Sequence, residues 1–463
     1  MTEQSSNQRS ALLVVCMSSF IMPMMLSSVN VALPTIAGAL QVEALYLTWV
    51  SNAYLVTSAT LLLPFGKLAD IVGRKRVYVS GIITVIIASL LAASSQSIYQ
   101  LIACRVLQGM GAAMLFSTGV AMLSSVFPPE KRGSAIGMTV SAVYFGLTCG
   151  PLFGGWLTQH FSWRSVFLVH LPVALIVALV ASLKLKGDWR GEEGQKFDFT
   201  GTGIYAVTII SLMIGLTFIP GPTGFMALGV SALGFYFFFR YEATIEHPIF
   251  AVKIFRANRV LIFSCLAALI LYSSTFGTTF LMSLYLQTIK GISPQVAGMI
   301  MIVQPLVMAM TSPFAGRLSD RIEPRFIASA GMCSIATGLG LLSTVGRDTS
   351  LGFIIPCLFL TGLGFAFFSS PNTSAIMGSV EKKFLGVAGA TAATVRVIGQ
   401  MFSMAIITFA LALFMGNNPL TPEHGPALLQ SIRISWLVAS CLCVVAVFLS
   451  LARGNVRTQN KVS

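Results

Sequence analysis

Acidic residues are scarce in this 463-residue chain, at fifteen Asp and Glu against 29 Lys and Arg, and charged residues of either sign make up only 10% of it. Four histidines and eight cysteines complete the usual metal-binding set. The cysteines (Cys16, Cys104, Cys149, Cys265, Cys333, Cys357, Cys441, Cys443) all fall in apolar stretches with no metal-site spacing, so neither a disulfide framework nor a zinc site is expected and they read as packing residues. No phosphate-cradling glycine loop, metal-ligand cluster or nucleophile with a neighbouring base occurs, which removes enzyme readings and leaves no cofactor to expect. A net charge of +14 without a basic groove interleaved with aromatic residues also argues against nucleic acid as a partner.

What the chain has instead is apolar length. It is 55% hydrophobic, with a mean hydropathy of +0.84, outside the range of soluble domains. Runs almost free of charge cover 10–42, 44–66, 77–129, 133–159, 165–183, 199–239, 260–289, 291–316, 326–346, 349–380, 384–417 and 434–452. At about 20 residues per crossing these are membrane helices rather than barrel strands. Two runs are long enough for two crossings and carry turn-like breaks, "SSQSIYQ" at 94–100 and "PGPTG" at 220–224, so the reading is fourteen spans. The first run follows a polar "MTEQSSNQRS" and is too long for a signal peptide; it reads as an uncleaved span 1.

Orientation follows from the basic residues. Alternate connections collect 23 of the 29, including Lys67, Arg74, Lys75, Arg76, Lys131, Arg132, Lys184, Lys186, Arg317, Arg321 and Arg325. The positive-inside rule makes that side cytoplasmic and puts both termini there, with a cell membrane and its anionic lipids as the expected surroundings.

The loops after spans 2 and 10 repeat one another. "GKLADIVGRKR" (66–76) and "GRLSDRIEPRF" (316–326) both run glycine, base, leucine, small residue, aspartate, placing Gly66 and Asp70 opposite Gly316 and Asp320. Such a repeat divides the chain into two six-helix halves, spans 1–6 and 9–14, with spans 7 and 8 inserted between them. The expected organisation is a cytoplasmic N-terminus (1–10), a first half (11–186), the inserted pair with its flanking loops (187–256), a second half (257–453) and a cytoplasmic tail (454–463).

Six stretches in order carry a specific resemblance: "NVALPTI" (30–36), "GKLADIVGRKR", "RVLQGMGAA" (105–113), "GLTCGPLFGG" (146–155), "WRSVFLVHLP" (163–172) and "LYLQTIKGISPQVAG" (284–298). The chain resembles the major facilitator superfamily, and within it the fourteen-span drug:proton antiporters that include multidrug and tetracycline exporters. The resemblance implies an all-α membrane fold and export of small hydrophobic or amphiphilic compounds by alternating access, with protons as the coupling ion; a monomer is the expected state, though the sequence does not fix it.

Physical roles can be set beside the motifs. Asp70 with Arg74, Lys75 and Arg76 can form ion pairs that hold one state of a two-state transporter and open in the other. Gly146, Gly150, Pro151 and Gly154 give a small-residue face and a bend, suited to tight packing; the resembled family calls this the antiporter motif and places it where the halves meet. The resemblance also implies an aspartate in span 1, five residues before Asn30. Here that position is Met25, which removes the usual proton carrier and leaves metabolite uptake or uncoupled facilitation as the alternative to antiport.

Arg105 and Arg396 stand inside spans, where a charge costs roughly 2.5–3.5 kcal/mol on insertion scales and marks function. All fifteen acids fall in connections, Asp198 and Glu242 among them, so Arg105 is expected to be satisfied by backbone carbonyls, amides, water or substrate, as a latch from span 4 onto span 1 or a proton relay. His170, where the family pattern usually has asparagine, titrates in the right range to replace the missing carrier. Spans 1, 2, 4, 5 and their counterparts bring Met25, Asn30, Asn52, Tyr54, Gln108, Tyr144, Tyr272, Phe276, Tyr285, Gln304, Asn372 and Gln400 as candidate substrate contacts. A cavity with arginines and no carboxylate should favour neutral or anionic compounds over cations.

Overall fold

The computed structural model describes residues 3–453 apart from 192–193, 220, 247, 251–257, 381–384, 417 and 419–421. Among the described residues the regular structure is helical, and fourteen segments are long and apolar enough to cross a membrane. A helix satisfies its own backbone groups, which is the requirement for an uninterrupted segment in hydrocarbon.

Spans 1–5 are the helices Glu3–Leu40, Ala44–Val72, Arg74–Ala93, Ile98–Val126 and Pro129–His160. Span 6 is broken into Ser165–Leu168 and Leu171–Leu183; spans 7 and 8 are Phe199–Phe218 and Pro222–Glu242. Span 9 comprises Arg259–Thr275, Thr278–Leu284 and a π-helical turn at Tyr285–Ile289; span 10 is Pro294–Met301 followed by Val303–Arg321. Spans 11–14 are Pro324–Leu342, Leu351–Gly378, Leu385–Phe414 and Gly425–Ala452.

Local chemistry sets the helix starts. Ser97, Asp198 and Asn258 each accept a backbone N–H three residues on, opening spans 4, 7 and 9. Prolines open spans 8, 10, 11 and 14, where a missing N–H does no harm. The two turn-like breaks at 94–100 and 220–224 coincide with the ends of spans 3 and 7, as their composition suggests. Large apolar side chains on the outer faces, such as Leu183, Phe199, Met226 and Phe448, are exposed, the pattern of surfaces solvated by lipid.

The chain forms two compact units. The first holds Met1–Val29, Trp49–Gly150 and Phe161–Val252 and therefore includes the inserted spans 7 and 8, which pair with each other. Tyr205 of span 7 donates its hydroxyl to the Ala59 carbonyl of span 2 at 3.0 Å. The second unit holds Asn30–Thr48, Pro151–His160 and Lys253–Ser463. Inside it the end of span 1 meets span 9, where Gln287 donates to the Val31 carbonyl at 2.8 Å, and the end of span 5 meets span 10.

Candidate functional site

Arg105 lies fully buried in the first unit, and the structure shows what surrounds it. Its Nε donates to the Val50 carbonyl at 2.8 Å and one terminal nitrogen to Gln108 Oε1 at 2.7 Å, while the guanidinium sits 4.6 Å from the centre of the Tyr54 ring. The latch therefore runs from span 4 to span 2. The sequence reading placed it on span 1; in the structure it reaches span 2, where Gly109 lets the two backbones meet at Tyr54 and Ser58 donates to the Gly109 carbonyl at 3.1 Å.

The chain of hydrogen bonds continues. Gln108 Nε2 donates to Ser89 Oγ at 2.9 Å, and Ser89 Oγ lies 3.0 Å from His170 Nε2. Two buried polar side chains, Gln108 of span 4 and Ser89 of span 3, thus join Arg105 and His170, which sequence reasoning singled out separately. Ser89 is the link that reasoning missed, since a serine in an apolar span carries no distinguishing signal. His170 owes its position to the break in span 6, which turns its ring inward toward span 3. One terminal nitrogen of Arg105 and His170 Nδ1 are buried without a hydrogen-bond partner. Among the described residues no carboxylate joins this hydrogen-bonded path.

The loop at 66–76 is held by its own unit. Asp70 and Arg74 pair at 2.7 Å, and Arg74 also reaches the Ala121 carbonyl and Ser125 of span 4. Arg76 pairs with Asp188 at 2.7 Å, Lys75 donates to the Leu185 carbonyl at 2.6 Å, and the Arg74 N–H bonds the Trp189 carbonyl at 3.1 Å. Lys67 donates to Gln195 at 3.1 Å. The connection from span 6 to span 7 thus lies along the charged loop. Gly73 permits this: its φ of 118° is left-handed, and a side chain there would occupy the space of the Asp188 carboxylate. Gly66 faces Ser117 of span 4 and Gly316 faces Ser370 of span 12; the side chain of Asp320 is outside the described residues.

The glycine motif of span 5 divides its work. Gly146 and Gly150 press on span 1, at Phe20 and at Met24 and Ser27, and Ser28 donates to the Gly150 carbonyl at 2.8 Å. Pro151 and Gly155 belong to the second unit, where the Pro151 carbonyl packs on Gly298 and Gly155 packs on Pro294. Gly154 between them is buried.

The other candidate contacts separate into groups. Tyr54 and Gln108 are engaged by Arg105. Tyr285 donates to the Gly346 carbonyl at 2.7 Å and packs edge-on against Trp436. Asn372 donates to the Ser264 carbonyl and accepts at 3.1 Å from Arg453, the buried residue that follows the span 14 helix. Burial pushes the Arg453 guanidinium down to about 10, which leaves it charged at neutral pH. Met25, Asn30, Asn52 and Tyr144 are buried, while Tyr272, Phe276, Gln304, Arg396 and Gln400 are half-buried. Tyr272 stacks edge-on with Phe365 at 5.7 Å.

A family model, Major Facilitator Superfamily, matches residues 15–404 and again 264–460. The chain belongs to that superfamily. It is a multi-pass membrane transporter. Among its relatives in the superfamily, the riboflavin transporter RibZ of Clostridioides difficile is 29% identical over 446 residues, covering 95% of this chain and 96% of the relative. The multidrug transporter protein MdtP of Bacillus subtilis is 30% identical over 400 residues, covering 84% and 72%. In fold the chain is similar to a bacterial homolog of the human lysosomal transporter Spinster, with a TM-score of 0.70 at 17% identity, covering 100% of this chain and 98% of that one.

Proposed function

We propose that this transporter exports small neutral or weakly anionic amphiphilic compounds in exchange for protons, from a cell membrane in which both termini face the cytoplasm. The observation that carries the reading is the buried hydrogen-bonded chain from Arg105 through Gln108 and Ser89 to His170, which holds a fixed positive charge and no carboxylate. An uncompensated cation in a low-dielectric interior attracts electron-rich groups and repels organic cations. The likeness to MdtP supports the export of varied compounds, and the buried Met25 with its neighbours Met22 and Met24 offers an adaptable apolar wall.

His170 is the member of the hydrogen-bonded path that we assign to proton exchange, in a state of the transporter that opens the path to water. A proton there would add a second positive charge to the same chain as Arg105, so its uptake has to accompany a rearrangement that hydrates the chain or separates the two groups. That is the coupling a two-state carrier needs: proton and substrate each bias the same equilibrium. The Asp70, Arg74 and Arg76 pairs and the glycines of span 5 are the elements we assign to the conformational change.

A second reading has its own support. Met25 stands where the drug:proton antiporters carry an aspartate, and the match to the riboflavin transporter spans nearly the whole of both chains. In this reading the protein moves an uncharged planar heteroaromatic metabolite of the flavin class without proton exchange. Purified protein in liposomes containing a pH-sensitive dye distinguishes the two. Proton movement driven by neutral or anionic amphiphiles and abolished by His170→Ala supports antiport, whereas riboflavin flux with no proton movement supports the facilitator. Efficient pumping of a permanent cation such as ethidium, with neutral and anionic compounds refused, would overturn both.

A further inference from the structure

The inserted pair holds a charge arrangement that the transport reading does not use. Among the described residues Glu242 is the one buried carboxylate, with 2% of its surface exposed. By sequence it belongs to a cytoplasmic connection; in the structure it is the last residue of the span 8 helix. Its Oε2 accepts the Phe250 N–H at 2.8 Å, and its Oε1 is buried with no hydrogen-bond partner. Asp198, which caps span 7, accepts the Gly201 N–H at 2.9 Å and the Tyr241 hydroxyl at 3.1 Å through Oδ1, and its Oδ2 is likewise buried without a partner.

The two unsatisfied oxygens converge on one point. A side-chain carbon at Gly201 would collide with both Asp198 Oδ2 and Glu242 Oε1, so the glycine leaves the space in which they meet. The nearest cations in sequence, Lys196 and Arg240, are exposed, and Arg240 lies over the Tyr236 ring; Glu246 is exposed as well. Among the described residues Tyr241 is the remaining titratable group on the pair, and its hydroxyl already donates to Asp198. Two facing carboxylates with no cation between them among the described residues cannot both stay ionised, but one proton removes a charge and makes a hydrogen bond that satisfies both oxygens at once.

We propose that Asp198 and Glu242 form a proton-binding site in which a single exchangeable proton is shared between Glu242 Oε1 and Asp198 Oδ2. The proton ties the end of span 8 to the start of span 7, and its loss sets two like charges against each other. Asp198 also ends the connection whose Asp188, Trp189 and Gln195 lie on the 66–76 loop. Protonation of the inserted pair therefore bears on how that connection is seated. This gives spans 7 and 8 a role independent of the Arg105 and His170 chain.

Infrared spectroscopy of the full chain in lipid nanodiscs tests the site without reference to transport. The wild type is expected to show a carboxylic-acid C=O band that shifts in D2O, fades as the pH is raised and is missing from Glu242→Gln, an isosteric change that keeps a donor facing Asp198. In Asp198→Asn, which preserves the cap, the band should remain with its titration midpoint displaced by about one pH unit or more. A band unchanged in Glu242→Gln, or an unmoved midpoint in Asp198→Asn, overturns the proposal. So does a wild-type band present only in choline buffer and removed by sodium chloride at fixed pH, which would make the pair a cation site.

Discussion

Replacing Arg105 by methionine separates stability from transport. The folded protein gains two charge-assisted hydrogen bonds at Arg105, to Val50 and Gln108, each worth roughly 1.5–3 kcal/mol, and a desolvated contact with Tyr54 worth about 2 kcal/mol. Against these stands the desolvation of a fully buried charge, an effective penalty of about several kcal/mol. The opposing contributions are of one size, so the arginine is not there to hold the fold together. The single change Arg105→Met does leave Gln108 Oε1 buried without a donor, at about 1–3 kcal/mol, and adding Gln108→Leu removes that orphan while Ser89 keeps His170. The double variant should therefore be more stable than the single one by roughly 1–3 kcal/mol in equilibrium unfolding by SDS in mixed micelles. Both should lose transport in liposomes, by about ten- to a hundredfold if one charge-assisted bond is spent in the cycle. A single variant destabilised by more than about 4 kcal/mol with no recovery in the double would show that Arg105 is a structural keystone, and undiminished transport in either would end the functional reading.

Ser89→Ala cuts the chain between Gln108 and His170; substrate binding by equilibrium dialysis should hold while substrate-driven proton movement in liposomes falls at least about tenfold. Gly150→Val drives a branched side chain into Ser27 and the Met24 carbonyl, 2.6 and 2.9 Å from the new Cβ, and should cost about 1–3 kcal/mol of stability and most of the transport, whereas Gly137→Val, where nothing lies nearby, should leave both unchanged. Asp188→Ala removes a pair whose arginine is two-thirds exposed, so a thermal melt should shift by less than about 1 kcal/mol equivalent, while Gly73→Ala should be several-fold worse and partly rescued by Asp188→Ala. For Arg453 the proton is bound in the folded state up to about 10 and in the unfolded chain to higher pH still, so stability rises with pH only above that range. The stability change caused by Arg453→Gln should accordingly be constant between roughly pH 6 and pH 9, and a slope across that interval would refute the assignment.

Fourteen spans, their approximate ends and the repeated loops at 66–76 and 316–326 were legible in the sequence, because membrane insertion is governed by local apolar length and by where the basic residues fall. Glycine at 146 and 150 and arginine at 105 were legible too, since a charge or a small-residue face inside a span has few explanations. Partners were not. That Arg105 bonds span 2 rather than span 1, that Ser89 completes its path to His170, that Asn372 serves Arg453 and that Glu242 turns inward on Asp198 all depend on which helix faces lie together. Helices of similar hydropathy can pack in many ways at almost equal energy, so only the tertiary structure decides which lone serine or terminal carboxylate becomes buried and which stays in the lipid headgroup layer.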